Sequence, residues 1–146
     1  MLELYRKVGS ATLIMEHKNN LRDILPDASD KLVNAIQNSD EARKRAEVEL
    51  EYDMRYGIEP LTMNDERYPS RLKECDDAPL MLFYKGNANL NQQRVINIVG
   101  TRHCTPYGED LIRRFVTELK QLCPQVLIVS GLAYGVDINA HRQALD

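Results

Sequence analysis

The chain has 146 residues, with 19 Lys and Arg against 22 Asp and Glu, and a formal net charge of −3. This length fits one domain or two small ones and is sufficient to bury a core. The charge excludes a strongly basic protein that grips nucleic acid over its whole surface, but not a local basic patch. No apolar run approaches the ~18 residues of a membrane span, and the N-terminus lacks the apolar core of a signal peptide. We therefore expect a cytoplasmic protein with no membrane partner.

The first part of the sequence, residues 1–56, is predicted to be helical. Ser29 is the expected N-cap of one short helix, and a longer helix is expected from about Glu41 to Tyr56, where Gly57 ends it. The composition changes after this glycine, so we place a domain boundary within residues 57–66.

The rest of the chain is predicted to alternate strands and helices. Apolar runs at residues 80–86, 95–99 and 126–129 indicate strands, and helical patterns occupy about 107–122 and 138–145. Near-continuous apolar strands separated by a helix predict a βαβα unit with a buried parallel sheet. The last helix has no Gly or Pro stop signal, and such a sheet usually has more strands. We therefore expect this chain to be a fragment of a larger protein.

The loops after the second and third of these strands predict an anion site. In an open α/β sheet, ligands bind beyond the carboxyl ends of the strands, where neighbouring loops meet. Glycines let backbone N–H groups approach a ligand, hydroxyls donate hydrogen bonds, helix N-termini favour anions, and arginine binds phosphate bidentately. The residues that we expect to bind phosphate are Gly100, Thr101, Arg102, Ser130, Gly131 and Gly135.

An alternative interpretation of these loops is purely structural, because glycine after a parallel strand is often required only by the turn. Neither loop has the G-x-G-x-x-G or the G-x-x-x-x-G-K-[ST] spacing. A dinucleotide site and a nucleoside triphosphate hydrolysis site are therefore not predicted.

Other titratable groups have competing interpretations. Asp137 and His141 lie one helical turn apart, and without a nucleophile beside them a structural hydrogen bond is favoured over an acid/base pair. Cys75, Cys104 and Cys123 form no C-x-x-C pair, which favours reduced thiols over a disulfide or a zinc ribbon. A metal site made from these thiols and the histidines is disfavoured by the spacing. We expect no metal, no cofactor and no catalytic residue.

Three ordered stretches carry a family resemblance. The first is Tyr68-Pro69-x-x-Leu72, Asp77-Ala78-Pro79-Leu80 and Leu82-x-Tyr84-Lys85-Gly86-Asn87. The second is Ile98-Val99-Gly100-Thr101-Arg102-x-x-Thr105-Pro106-Tyr107-Gly108. The third is Ser130-Gly131-Leu132-Ala133-x-Gly135-Val136-Asp137-x-x-Ala140-His141-x-x-Ala144-Leu145. Together they resemble the DprA/Smf family of bacterial DNA-processing proteins, over about residues 57–146.

The resemblance implies a function in natural transformation. Members of the family bind incoming single-stranded DNA, protect it and load the RecA recombinase, act as homodimers, and have no established catalytic activity. The implied fold is an extended Rossmann-like α/β domain after a small helical SAM-like domain. Arg102 would lie in the DNA pocket, and Ser130 and Gly131 would hold a backbone phosphate.

The predicted fold class is therefore α/β, with a partial Rossmann-like parallel sheet (βαβα) preceded by a small all-α SAM-like domain. Residues 1–56 would form the helical domain, shortened relative to the family. Residues 57–146 would form the first part of the DNA-binding domain, truncated at its C-terminus.

Two other functions stay open at the level of sequence. The same crevice would suit a nucleotide-processing enzyme of the phosphoribohydrolase type, with Asp137 and His141 as acid and base, although the Pro-Gly-Gly-x-Gly-Thr stretch of that group is absent. Residues 1–56 would alternatively recruit a partner or duplex DNA. The 13 Lys and Arg against 17 Asp and Glu in residues 1–93 disfavour binding to a duplex backbone.

Overall fold

The structure is a computed structural model and describes residues 2–145. The chain forms two compact units, Met1–Asn87 and Ala88–Asp146. The first unit contains α1 (Leu2–Val8), α2 (Ala11–Glu16), a short 3-10 helix (Leu21–Asp23), α3 (Asp30–Gln37), α4 (Asp40–Tyr56), β1 (Glu59–Thr62), α5 (Ser70–Lys73) and β2 (Met81–Tyr84). The second unit contains β3 (Val95–Asn97), α6 (Pro106–Leu122), β4 (Leu127–Val129) and α7 (Val136–Leu145).

Local capping interactions mark the ends of helices in the first unit. The Ser29 hydroxyl accepts a hydrogen bond from the Leu32 N–H at 3.3 Å, as the sequence predicts for an N-cap. Gly57 ends α4 in the left-handed region, at φ +64°. The apolar faces of the shorter helices enclose one core, made of Leu4, Ile14, Leu21, Ala28 and Ile36.

An antiparallel hairpin of β1 and β2 completes the first unit. Glu59 pairs with Tyr84 and Thr62 pairs with Met81. The predicted strand at residues 80–86 is confirmed as β2, whereas β1 was not predicted, because Glu59 and Pro60 are residues that strands usually exclude. Pro60 is tolerated since a two-stranded sheet consists only of edge strands, and Leu61 beside it is fully buried.

Tyr68 is buried in the same unit and donates a hydrogen bond to the Pro79 carbonyl at 2.6 Å. Burial raises the pKa of the Tyr68 phenol, and a thiolate at Cys75 would add to this effect. The hydroxyl therefore stays protonated and available as a donor over the ordinary pH range.

The second unit is the predicted βαβα segment. β3 and β4 pair in parallel, with Val95 opposite Leu127 and Asn97 opposite Val129. Helix α6 connects them and begins at a Thr105 N-cap, whose hydroxyl accepts from the Gly108 N–H at 3.2 Å. These short strands consist mostly of Val, Ile and Leu, which favour strands. The predicted burial of the sheet is incomplete, because neither strand contains a fully buried residue and Asn97 and Val129 are exposed.

Helix α6 buries only part of its apolar face. The spacing of Leu111, Ile112, Phe115, Val116 and Leu119 places these side chains on one side of the helix. Ile112 and Val116 pack with Ala140 of α7 in the core, but Leu111 and Phe115 are each 47% exposed. The strands and α7 therefore cover only part of the apolar surface of α6.

The division between the compact units does not coincide with the predicted domain boundary. Contacts group the hairpin with the helices, and the units divide after Asn87. The assignment of residues 1–56 and 57–146 to separate domains stays a prediction. Within residues 2–145, no helix is long and apolar enough to cross a membrane.

Candidate functional site

The loops that follow the two parallel strands are hydrogen-bonded to each other. We call residues 98–105, after β3, the first strand-end loop and residues 130–135, after β4, the second. The Ser130 hydroxyl donates to the Ile98 carbonyl at 2.6 Å, and the Val136 N–H donates to the Thr101 carbonyl at 3.1 Å. The two stretches that the sequence predicted to meet are therefore in direct contact.

Gly135 is required by the way the loops cross. Its φ is +79°, and a Cβ there would lie 2.2 Å from the Thr101 carbonyl oxygen and 2.6 Å from the Arg102 carbonyl carbon. Real Cβ atoms essentially never approach a heavy atom within 3.0 Å. Glycine at this position thus fixes how the first strand-end loop passes over the second.

Gly100, in the first strand-end loop, is also sterically restricted. A Cβ at this residue would lie 2.7 Å from Cγ2 of Val136. Of the two glycines, Gly100 is exposed and Gly135 is half-buried. Gly135 therefore allows close packing against the backbone of Thr101 and Arg102, and Gly100 allows close packing against the Val136 side chain.

The polar groups of Ser130 and Gly131 are engaged within the chain. The Ser130 hydroxyl proton is donated to Ile98, as described above. The Gly131 N–H donates to Oδ2 of Asp137 at 3.1 Å, and Asp137 is buried. A phosphate would have to displace these acceptors to receive either proton, so a direct phosphate contact by these residues stays a prediction.

Thr101 and Arg102 differ in how they are used. The Thr101 hydroxyl accepts from the His103 N–H at 3.2 Å and shapes its own turn. Arg102 is exposed, and within residues 2–145 its guanidinium makes no hydrogen bond or ion pair. Its five donors are therefore free for a ligand.

Neighbouring arginines on α6 are neutralised, unlike Arg102. Arg113 and Arg114 both pair with Asp110, the latter at 3.0 Å. The Arg113 hydrogen bond holds the pKa of the Asp110 carboxyl below its usual value, so this carboxylate stays ionised.

Arg102 lies in an open pocket of about 430 Å³, a volume typical of small-ligand sites. The other lining residues are Leu132, Ala133, Tyr134 and Ile138. The pocket thus combines one cation, one aromatic ring and aliphatic surface, with no acidic side chain in its lining. No pattern in the sequence predicted a role for Leu132 or Tyr134. A sequence feature that could have pointed to them is the placement of two large side chains in a short loop between Gly131 and Gly135.

Asp137 and His141 do not hydrogen-bond each other through their buried atoms. Oδ1 of Asp137 and Nε2 of His141 are buried and have no hydrogen-bond partner within the described residues. The other Asp137 oxygen holds the Gly131 N–H. This contact supports the structural interpretation of Asp137 that the sequence analysis favoured.

The three cysteines are free thiols. Among residues 2–145, no group of three or more His, Cys, Asp or Glu residues is placed to hold a metal ion.

Comparison with known proteins identifies the family. A family model described as DNA recombination-mediator protein A matches residues 59–146, which is more than half of the chain. The chain belongs to this family. The match spans the hairpin and both strand-end loops.

Individual members of this family are also similar to the chain in sequence. The family member is 41% identical over 81 residues to the DNA processing protein DprA of Streptococcus pneumoniae, covering 56% of this chain and 28% of that protein. It is 37% identical over 91 residues to DprA of Bacillus subtilis, covering 61% of this chain and 30% of that protein. With Protein Smf of Escherichia coli it shares 37% identity over 82 residues, covering 56% and 21% of the two chains. The chain therefore spans less than a third of these relatives.

A solved structure extends the similarity to the whole fold. The X-ray structure of DNA processing protein A from Streptococcus pneumoniae matches with a TM-score of 0.63 at 26% sequence identity. The match covers 99% of this chain and 52% of that chain. It confirms the DprA/Smf resemblance and the predicted Rossmann-like α/β fold class.

Proposed function

We propose that this DNA recombination-mediator family chain binds single-stranded DNA without catalysis, and that the pocket at Arg102 receives a backbone phosphate. The observation that carries the proposal is the unpaired, exposed Arg102 guanidinium beyond the carboxyl ends of the parallel strands. A planar cation with free donors suits bidentate phosphate binding.

The other predicted site residues fit supporting roles in this proposal. Gly100 and Gly135 keep the loops close enough to present Arg102. Ser130 and Gly131 stabilise the second strand-end loop through Ile98 and Asp137, and the hydrogen bond from the His103 N–H to the Thr101 hydroxyl closes the turn that contains Arg102. A ligand that contacts these residues directly would do so through polar groups that are not already engaged in these hydrogen bonds.

The test is fluorescence anisotropy with a labelled oligothymidylate at low salt. Arg102→Ala should weaken binding by about tenfold, the effect of losing one charge-assisted contact. It should also lower the slope of log K against log salt by about 0.7, the value for one phosphate of a single strand. Arg102→Lys should keep the slope while losing part of the affinity, because lysine retains the charge but not the bidentate geometry.

Arg94→Ala is the matched control. Arg94 is an exposed arginine in the same unit, immediately before β3 and so at the opposite end of the strand. Its removal changes the net charge by the same amount as Arg102→Ala. Equal losses in the two variants would show diffuse charge attraction instead of a phosphate site, and an unchanged Arg102→Ala affinity would refute the proposal.

The remaining features come from family membership. We propose protection of incoming DNA and loading of RecA in natural transformation, a homodimer of the complete protein, and a cytoplasmic location. Sedimentation velocity tests the dimer, and co-purification with RecA in the presence of single-stranded DNA tests the recombinase contact. An acid/base enzyme is not favoured, because the Asp137 carboxylate is held by the Gly131 N–H.

A further inference from the structure

Tyr134 is an exposed aromatic residue on a constrained loop. Its side chain is 82% exposed, although a tyrosine of this size gains free energy when its ring is buried. Leu132, two residues before it, is 71% exposed and has a φ of +55°, a conformation that costs a non-glycine residue about 1–2 kcal/mol. The loop thus holds two apolar side chains out of the core.

The backbone on both sides of Tyr134 is fixed by hydrogen bonds. The Ala133 carbonyl accepts from the Ile138 N–H at 3.1 Å. The Gly135 carbonyl accepts from both the backbone N–H and the side-chain amide of Asn139, at 3.2 and 3.0 Å. Steric contact of Gly135 with the first strand-end loop removes further freedom. The ring is therefore presented from a rigid base, which lowers the entropy that a ligand must overcome on binding.

The same pocket holds the ring and the free cation. Tyr134 and Arg102 both line it, together with aliphatic surface and no acidic side chain. An aromatic face accepts any nucleobase by stacking, and a guanidinium beside it accepts the adjoining phosphate. This pairing of groups matches one nucleotide of an unpaired strand, whose base is free to leave its neighbours.

We propose that Tyr134 stacks on an unpaired nucleobase of the strand whose phosphate Arg102 holds. This inference rests on the proposed function of the pocket and adds a base contact to it. The contact requires a flat ring and does not require the phenolic hydroxyl. It also requires a base that is not already paired, which favours single strands over duplex.

The decisive experiment compares oligothymidylate with an abasic strand of equal length and charge. The full chain should bind the abasic strand about tenfold more weakly, since stacking on one base is lost. Tyr134→Ala should bind both strands equally, at the level of the wild type on the abasic strand, with an unchanged salt slope. Tyr134→Phe should bind as the wild type does.

Tyr107→Ala is the matched control, because Tyr107 is 72% exposed in the same unit and does not line the pocket. Its affinity should not change. The chain contains no tryptophan, so Tyr134→Trp also supplies a single reporter. Its fluorescence should be quenched by oligothymidylate and not by the abasic strand, whereas that of Tyr107→Trp should respond to neither.

Three outcomes overturn the stacking proposal. If Tyr134→Ala binds oligothymidylate as tightly as the wild type, Tyr134 makes no base contact. The proposed function survives this result if Arg102→Ala still weakens binding. Tyr134→Ala that loses equal affinity for both strands shows a structural effect on the loop, which far-UV circular dichroism would register. If the wild type binds neither strand, both proposals are wrong.

Discussion

Replacing Gly135 with alanine tests whether the crossing of the two strand-end loops stabilises the second unit. The substitution introduces two costs. The first is conformational, since a φ of +79° costs an alanine about 1–2 kcal/mol. The second is steric, since the new Cβ would lie 2.2 Å from the Thr101 carbonyl oxygen, so backbone must move by roughly 1 Å. Overpacking of this kind costs about 1–3 kcal/mol.

The chain offers a control that separates the two costs. Gly9 has the same φ of +79°, and a Cβ there would have nothing within 4 Å. Gly9→Ala should therefore lose about 1–2 kcal/mol of unfolding free energy, and Gly135→Ala about 2–5 kcal/mol. Any gain from restricting the unfolded chain is the same in both variants and cancels in their difference.

A loss of 2–5 kcal/mol is large for this unit. A unit of this size has a stability of about 3–9 kcal/mol, so Gly135→Ala should leave residues 88–146 marginally folded. Urea unfolding followed by circular dichroism measures the loss, and hydrogen exchange resolved by peptide assigns it to one unit. Equal losses for Gly135→Ala and Gly9→Ala would refute the steric reasoning and with it the role assigned to the loop crossing.

Two further predictions concern buried polar groups. Asp137→Ala removes the acceptor of the Gly131 N–H and should lower the free energy of unfolding by about 1–3 kcal/mol in urea titrations. Asp137→Asn keeps an acceptor oxygen and should lose clearly less. Release of free base from nucleoside monophosphates by the wild type, abolished in Asp137→Asn, would instead support the enzymatic alternative. The raised pKa of Tyr68 predicts stability that is fully present below about pH 10 and lost as pH rises through the folded-state pKa. Tyr68→Phe should therefore flatten the fall in urea midpoint above about pH 10, and a slope equal to that of the wild type there would contradict this.

The parts of this fold that could be predicted from the sequence depend on local signals. Ser29 and Gly57 mark helix ends because capping involves residues only a few positions apart. The apolar runs at β3 and β4, with an amphipathic helix between them, predicted the parallel pairing because a strand–helix–strand crossover brings its two strands side by side in the same direction. The position of the six candidate site residues at the strand ends followed from the same topology.

Other features depended on contacts between distant residues. Strand β1 forms despite Glu59 and Pro60, because β2 supplies its hydrogen bonds and Leu61 is buried between packed elements. No local pattern signals such a pairing. The exposure of Leu111 and Phe115 likewise depends on which strip of α6 the strands and α7 cover.

The sequence by itself determined the family, the strand–helix–strand–helix order of the second unit and the position of the candidate residues at the strand ends, because motif spacing and hydrophobic periodicity are local properties. Only the tertiary structure decided what each loop residue does. It engaged the Ser130 hydroxyl with Ile98 and the Gly131 N–H with Asp137, and left Arg102 and Tyr134 exposed in one pocket. The physical reason is that a hydrogen-bonding group is occupied only when a partner lies within about 3 Å of it. Which groups find such a partner depends on how the loops and helices pack, and not on the local sequence.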